Sequence, residues 1–124
     1  YSVGALEAAG VEPPTTLEDF YAVCEAIQAD GGTPLAVPAA GWVLALVTIE
    51  TLMPAVTGGE FYLDYFAGRA NPNDPKVAEL FVELEKVLRC SNVDEATGSW
   101  GDGARAVYDG DAAMLVMGDW AKGF

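Results

Sequence analysis

Gly118-Asp119-Trp120 is the point where this chain carries side chains suited to recognition chemistry. An indole presents a flat apolar face, and a carboxylate presents two acceptor oxygens. Together they suit a sugar, whose C–H face stacks on the indole while its rim hydroxyls donate charge-assisted hydrogen bonds to the carboxylate. The same pair has a structural alternative: Trp120 fills the core and Asp119 caps the next helix. The preceding residues suggest a rigid mount. Asp109-Gly110-Asp111 is a turn signal. Residues 112–117 form a short apolar run that predicts a strand buried on both faces, ended by Gly118. A strand end of this kind places its loop side chains at a crevice.

Other residues bound the chemistry. Trp42 follows a turn over 38–41 and is a second candidate for the cleft, with core packing as its alternative. Trp100 faces either the cleft or its own loop. No histidine is present, which excludes Ser-His-Asp and Cys-His catalysis and His-based metal sites. The 19 acidic residues make chance carboxylate pairs easy, but no second acid shares a motif with Asp119, so a two-carboxylate glycosidase is not expected. No phosphate-binding loop, dinucleotide fingerprint or Cys-x-x-Cys pair occurs, and no cofactor or metal is expected. A net charge of −13 argues against nucleic acid and anionic membrane surfaces. Cys24 and Cys90 fall on the apolar stripes of predicted helices and read as buried free thiols, with one disulfide as the alternative if their Cα atoms come within reach.

The elements that must position these residues follow from periodicity. With 124 residues, 52% of them hydrophobic, the chain is long enough for one domain with one core and is not disordered. Residues 1–10 read as the end of a helix. Thr16 caps a second helix, with Asp19 as an imperfect capping box and Leu17, Phe20, Tyr21, Cys24 and Ile27 on its core face. Residues 33–37 form a strand candidate. Residues 42–56 are helical and almost wholly apolar, which predicts burial on all sides. Pro54 should kink this helix near its end, and Glu50 shares a polar strip with Thr48 and Thr51. The run is too short to span a membrane comfortably. Phe61, Tyr62, Tyr65 and Phe66 sit on a short helix and should wedge between neighbours. Asp74-Pro75 starts a helix of about sixteen residues, with Val77, Leu80, Phe81, Leu84, Val87 and Leu88 inward and Glu79, Glu83, Glu85 and Lys86 in solvent. A polar loop over 91–98 leads to a short helix over 104–108. The expected class is a mainly α fold with a small two-stranded β element formed by 33–37 and 112–117.

Several stretches resemble the sugar-binding proteins of ABC importers. Glu7-Ala8-Ala9-Gly10-Val11-Glu12-Pro13-Pro14-Thr15-Thr16, the run over 58–68, and Gly110-Asp111-Ala112-Ala113-Met114 with Gly118-Asp119-Trp120 are similar to segments of that family, most nearly its glucose/mannose type. The resemblance implies part of the second lobe of a periplasmic-binding-protein type II fold over residues 1–124. It also implies a hexose ligand at Asp119, Trp120 and Trp42, an ABC permease as partner, and a periplasmic or extracellular location. The Tyr1 start fits a trimmed or excised piece. On that expectation, helical faces left uncovered favour a homo-oligomer, most simply a dimer. The alternative function is a stand-alone homo-oligomeric interaction module that has lost transport.

Overall fold

In the computed structural model, which describes residues 1–93 and 98–123, a two-residue strand, β1 (Leu35–Ala36), holds the centre. It pairs in parallel with β2 (Met114–Leu115), Leu35 opposite Met114 and Ala36 opposite Leu115. Its other edge is also occupied. Leu35 bridges Ser91, its N–H donates to the Cys90 carbonyl at 3.1 Å, and its own carbonyl accepts from Asn92 N–H at 3.3 Å. Asn92 Oδ1 then accepts from Val37 N–H at 2.7 Å. Leu35, Ala36 and Val37 are buried, so their backbone groups need protein partners. Pro34 and Pro38 lack N–H donors, although the carbonyls of Thr33 and Pro34 still accept from Ala113 and Met114 N–H, each at 2.9 Å. The expected strands over 33–37 and 112–117 shrink to two residues each. Residues 112–114 are buried, but 115–117 are only half-buried, so the second strand emerges from the core toward its end. Ser91, expected in a polar loop, is a sheet edge; residues 94–97 of that loop lie outside the described residues.

Helices surround this pair. Ser2 caps α1 (Val3–Ala8), whose Leu6 is buried. The capping box at α2 (Leu17–Ala29) is complete: Asp19 N–H donates to Thr16 Oγ1, and Thr16 N–H donates to the Asp19 carboxylate, each at 3.0 Å. Asp74 and Pro75 open α6 (Pro75–Arg89), 15 residues long. Its inward face is narrower than expected. Leu80 and Val87 are buried and Leu84 half-buried, while Phe81, a quarter-turn round, stands in solvent. Glu83 is not on the solvated face either. Its carboxylate accepts from Tyr21 Oη at 2.6 Å and pairs with Lys86 at 2.5 Å. Those two donors, Lys86 foremost, hold Glu83 below the usual carboxylate range. Tyr21, expected as plain core, is half-buried, and its phenol is pushed upward chiefly by burial, then by Glu83.

Residues 41–57 form one rod: α3 (Gly41–Ala45), a π-helical stretch (Leu46–Leu52) and α4 (Met53–Thr57). Pro54 cannot donate to the carbonyl four residues back and would collide with it. The turn before it is the wider π form, in which Met53 N–H donates to the Thr48 carbonyl five residues back. The rod is not buried all round. Val43, Val47, Leu52 and Met53 face the core, whereas Trp42, Glu50 and Thr51 are exposed. Thr48 leaves the expected polar strip, being buried with its hydroxyl donating to the Leu44 carbonyl at 2.8 Å. Glu50 accepts from Tyr62 Oη at 2.9 Å. On α5 (Gly59–Phe66) only Phe61 and Tyr62 wedge inward; Tyr65 and Phe66 are exposed. Both cysteines are buried, unbridged thiols, as expected.

The capping carboxylate gives a pH test. Hydrogen bonds from Thr15 and Thr16 hold Asp19 below its ordinary value of 3.8. A lowered native pKa adds stability above the unfolded value and loses it as pH falls through the native value. Asp19→Ala should therefore melt below wild type at pH 6, with the gap closing below about pH 3.8. Thermal melts of both proteins from pH 6 to 2.5 check this; a gap that persists unchanged at the acid end would assign the loss to something other than the charged cap.

Candidate functional site

The site is assembled where the two parallel strands end. After β1 the chain turns through Pro38 to the start of the rod, and this places Trp42. After β2 it passes Gly118 into a 3-10 turn, Asp119–Gly123, which places Asp119 and Trp120. The third contributor is α7 (Trp100–Asp109), which begins at Trp100 and not at 104 as expected. Ser99 caps it. Ser99 N–H and Oγ both donate to Asp102 Oδ2, at 2.5 and 2.9 Å, and these donors lower the Asp102 pKa. The Ser99-x-x-Asp102 spacing is a capping-box signal that the periodicity argument passed over. Gly101 and Gly103 are buried. A Cβ on Gly103 would come within 2.7 Å of Pro38 Cγ and 3.4 Å of Leu115 Cδ1. The absence of that methyl lets α7 lie directly on the strand ends, with Trp100 at its leading edge.

The three tryptophans consequently meet. Trp100 and Trp120 are nearly perpendicular, at 85°, with ring centroids 4.6 Å apart. Trp42 approaches Trp120 at 6.4 Å and 37°. Both distances lie in the range of favourable aromatic pairs. Trp42 remains 48% exposed and Trp120 52% exposed, so neither fills the core of these 124 residues. Trp100 is half-buried, with its ring against Trp120. Asp119 is exposed at the base of the turn. It also borders a groove of about 250 Å³ lined by Tyr1, Val107, Leu115, Met117 and Lys122. Chemically the arrangement offers half-exposed indole surface carried on a buried parallel ladder, with the Asp119 carboxylate next to Trp120 in the chain. Among the described residues no group of side chains is suited to hold a metal, and no helix is long and apolar enough to cross a membrane.

Gly118 has a second use besides ending the strand. Trp120 folds back over it so closely that a Cβ there would overlap indole Nε1 and lie 2.7 Å from Cδ1. Gly118→Ala should displace the indole and uncouple it from Trp100. Near-ultraviolet circular dichroism should change about as much as in Trp120→Phe, while the far-ultraviolet helical signal stays. An unaltered near-ultraviolet spectrum would mean that Gly118 does not set the ring position.

The whole chain, residues 1–124, matches the family of bacterial extracellular solute-binding proteins, to which it belongs. This is a solute-binding family and not a family of enzymes. The chain is 33% identical over 117 residues to an uncharacterised ABC transporter extracellular-binding protein of Pyrococcus horikoshii, covering 93% of this chain and 26% of that protein. It is 33% identical over 122 residues to a probable sugar-binding periplasmic protein of Rhizobium meliloti, covering 96% of this chain and 29% of that one. Among solved structures it is similar to the bacterial solute receptor AcbH, described as having an exclusive preference for β-D-galactopyranose. The TM-score is 0.80 at 24% identity, over 93% of this chain and 30% of the receptor, a likeness of fold. The chain thus spans under a third of the length of the relatives it matches.

Proposed function

We propose that this chain forms one wall of a hexose-binding cleft in an extracytoplasmic receptor that serves an ABC permease. The observation that carries this is the convergence of three indoles at the strand ends, two of them half-exposed, with Asp119 adjacent to Trp120 in the chain. Trp120 offers its surface to the C–H face of the sugar, Trp42 extends that surface, and Asp119 accepts from rim hydroxyls. Trp100 is a positioning residue that fixes the plane of Trp120. The sugar-binding description of several relatives supports the ligand class. The galactopyranose preference described for AcbH makes galactose a candidate beside glucose. The net charge of −13 disfavours sugar phosphates and uronic acids.

One wall supplies only part of the contacts while the cost of fixing the ligand stays whole. The 124-residue chain should bind glucose or galactose with a Kd of about 1 mM, close to −4 kcal/mol. Tryptophan fluorescence should follow the titration. Trp120→Ala should abolish the response, Trp42→Ala should weaken it, and glucose 6-phosphate should bind worse than either free hexose. Submicromolar binding would show that the single-wall reasoning is wrong, and binding that survives Trp120→Ala would place the site elsewhere.

A second reading, self-association as a homodimer, is favoured by large apolar side chains in solvent: Leu63 and Phe66 on α5, Phe81 and Val82 on α6. Exposed apolar side chains tend to be covered by a partner where they form a patch. Sedimentation at increasing concentration should then show a dimer that Phe66→Glu or Phe81→Glu dissociates; a monomer at every concentration would remove this reading.

A further inference from the structure

The packing of α2 along α6 brings together two groups that ligand binding does not use. Tyr21 Oη reaches Glu83 on α6 at 2.6 Å. Two turns later on α2, Gln28 Nε2 donates to the Arg89 carbonyl at the end of α6, at 2.8 Å. Cys24 lies three residues after Tyr21 and four before Gln28, so all three share one face of α2. Cys90 is the residue that follows Arg89 and caps α6. Both thiols lie in the core, at 1% and 6% exposure, close enough that each shifts the pKa of the other. Cys90 is held from behind as well, because its carbonyl accepts from Leu35 N–H on β1.

From this geometry we propose that Cys24 and Cys90 are a disulfide-forming pair, closed when the chain folds in an oxidising compartment, and that the bond staples α2 to the end of α6 beside the central strand. The proposal takes the extracytoplasmic location from the preceding section, where disulfides form and persist. The oxidant is a disulfide of the thiol–disulfide exchange class. One cysteine loses its proton and attacks a sulfur of that disulfide, expelling one thiolate. The second cysteine then attacks the mixed disulfide and expels the other. Two protons and two electrons leave the protein, and the oxidant becomes two thiols. Timing follows from burial. Folded, both thiols are shielded and desolvated, which raises their pKa and leaves little thiolate to react. Exchange therefore belongs to the folding chain, before the core closes. Once formed, the bond closes a loop of about 65 residues, long enough for a large entropic gain against the unfolded state.

The test needs no ligand and stands whether or not a hexose binds. The 124-residue chain is unfolded in denaturant and refolded in a mixture of reduced and oxidised glutathione. It is then quenched in acid, unfolded again, treated with maleimide and weighed by mass spectrometry. The expected product is a monomer two hydrogens lighter than the reduced chain, with no maleimide attached. Its Tm should lie about 10 °C above that of the same chain refolded in dithiothreitol. The double variant Cys24→Ala/Cys90→Ala should melt at one temperature under both conditions. Two maleimides per refolded chain, a glutathione adduct on either cysteine, or a disulfide-linked dimer on a non-reducing gel would overturn the proposal.

Discussion

The architecture depends on pairing the backbone of one short buried strand. Leu35 and Ala36 have no access to water, and an unmade backbone hydrogen bond there would cost about 1–3 kcal/mol per group. β2 satisfies one edge, and the chain leaving α6 satisfies the other, with the Asn92 side chain standing in where the backbone ladder stops at Val37. Three distant stretches of sequence are thereby fixed to one another. Each then delivers something to a common point: Trp42 after β1, Trp120 after β2, and Trp100 on the helix that covers them. The site needs no large sheet, because two residues of parallel ladder are enough to register the three indoles.

Much of this was legible in the sequence. Amphipathic spacing placed α2 and α6, the Asp74-Pro75 start needed no tertiary information, and two short apolar runs gave the strands that pair. The motif over 110–120 pointed to the family and to Asp119 and Trp120 as site candidates. Tertiary balance hid the rest. Composition made residues 42–56 look buried throughout, yet Trp42 is half in solvent because the indoles collect at a surface. Thr48 looked polar and outward, but its hydroxyl is satisfied by a carbonyl one turn back, which permits burial. Glu83 looked like a solvated residue until α2 supplied a phenol. None of these pairings has a local signature.

The role of Trp100 had a partial signature. Ser99 and Asp102 stand at capping-box spacing, which would have moved the helix start forward by four residues. Gly101 and Gly103 lie inside the helix, before its expected start, and Gly103 is the reason the helix can approach the strands. Glycine depresses helix propensity by about 1 kcal/mol per residue. Here that penalty coexists with contacts to Pro38 and Leu115 that a methyl group would block.

The π-helical stretch inside the rod determines where Trp42 points. A π turn is an α-helix carrying an additional residue, and each residue of an α-helix advances about 100° around the axis. Rewinding residues 46–52 as ordinary α-helix with none of them deleted would leave α4 seated against α6 and swing Trp42 by one residue's advance, about 100° around the axis, away from Trp120. The widened turn thus acts as an angular spacer, and the aim of an indole at one end of the rod is encoded in the winding near its middle.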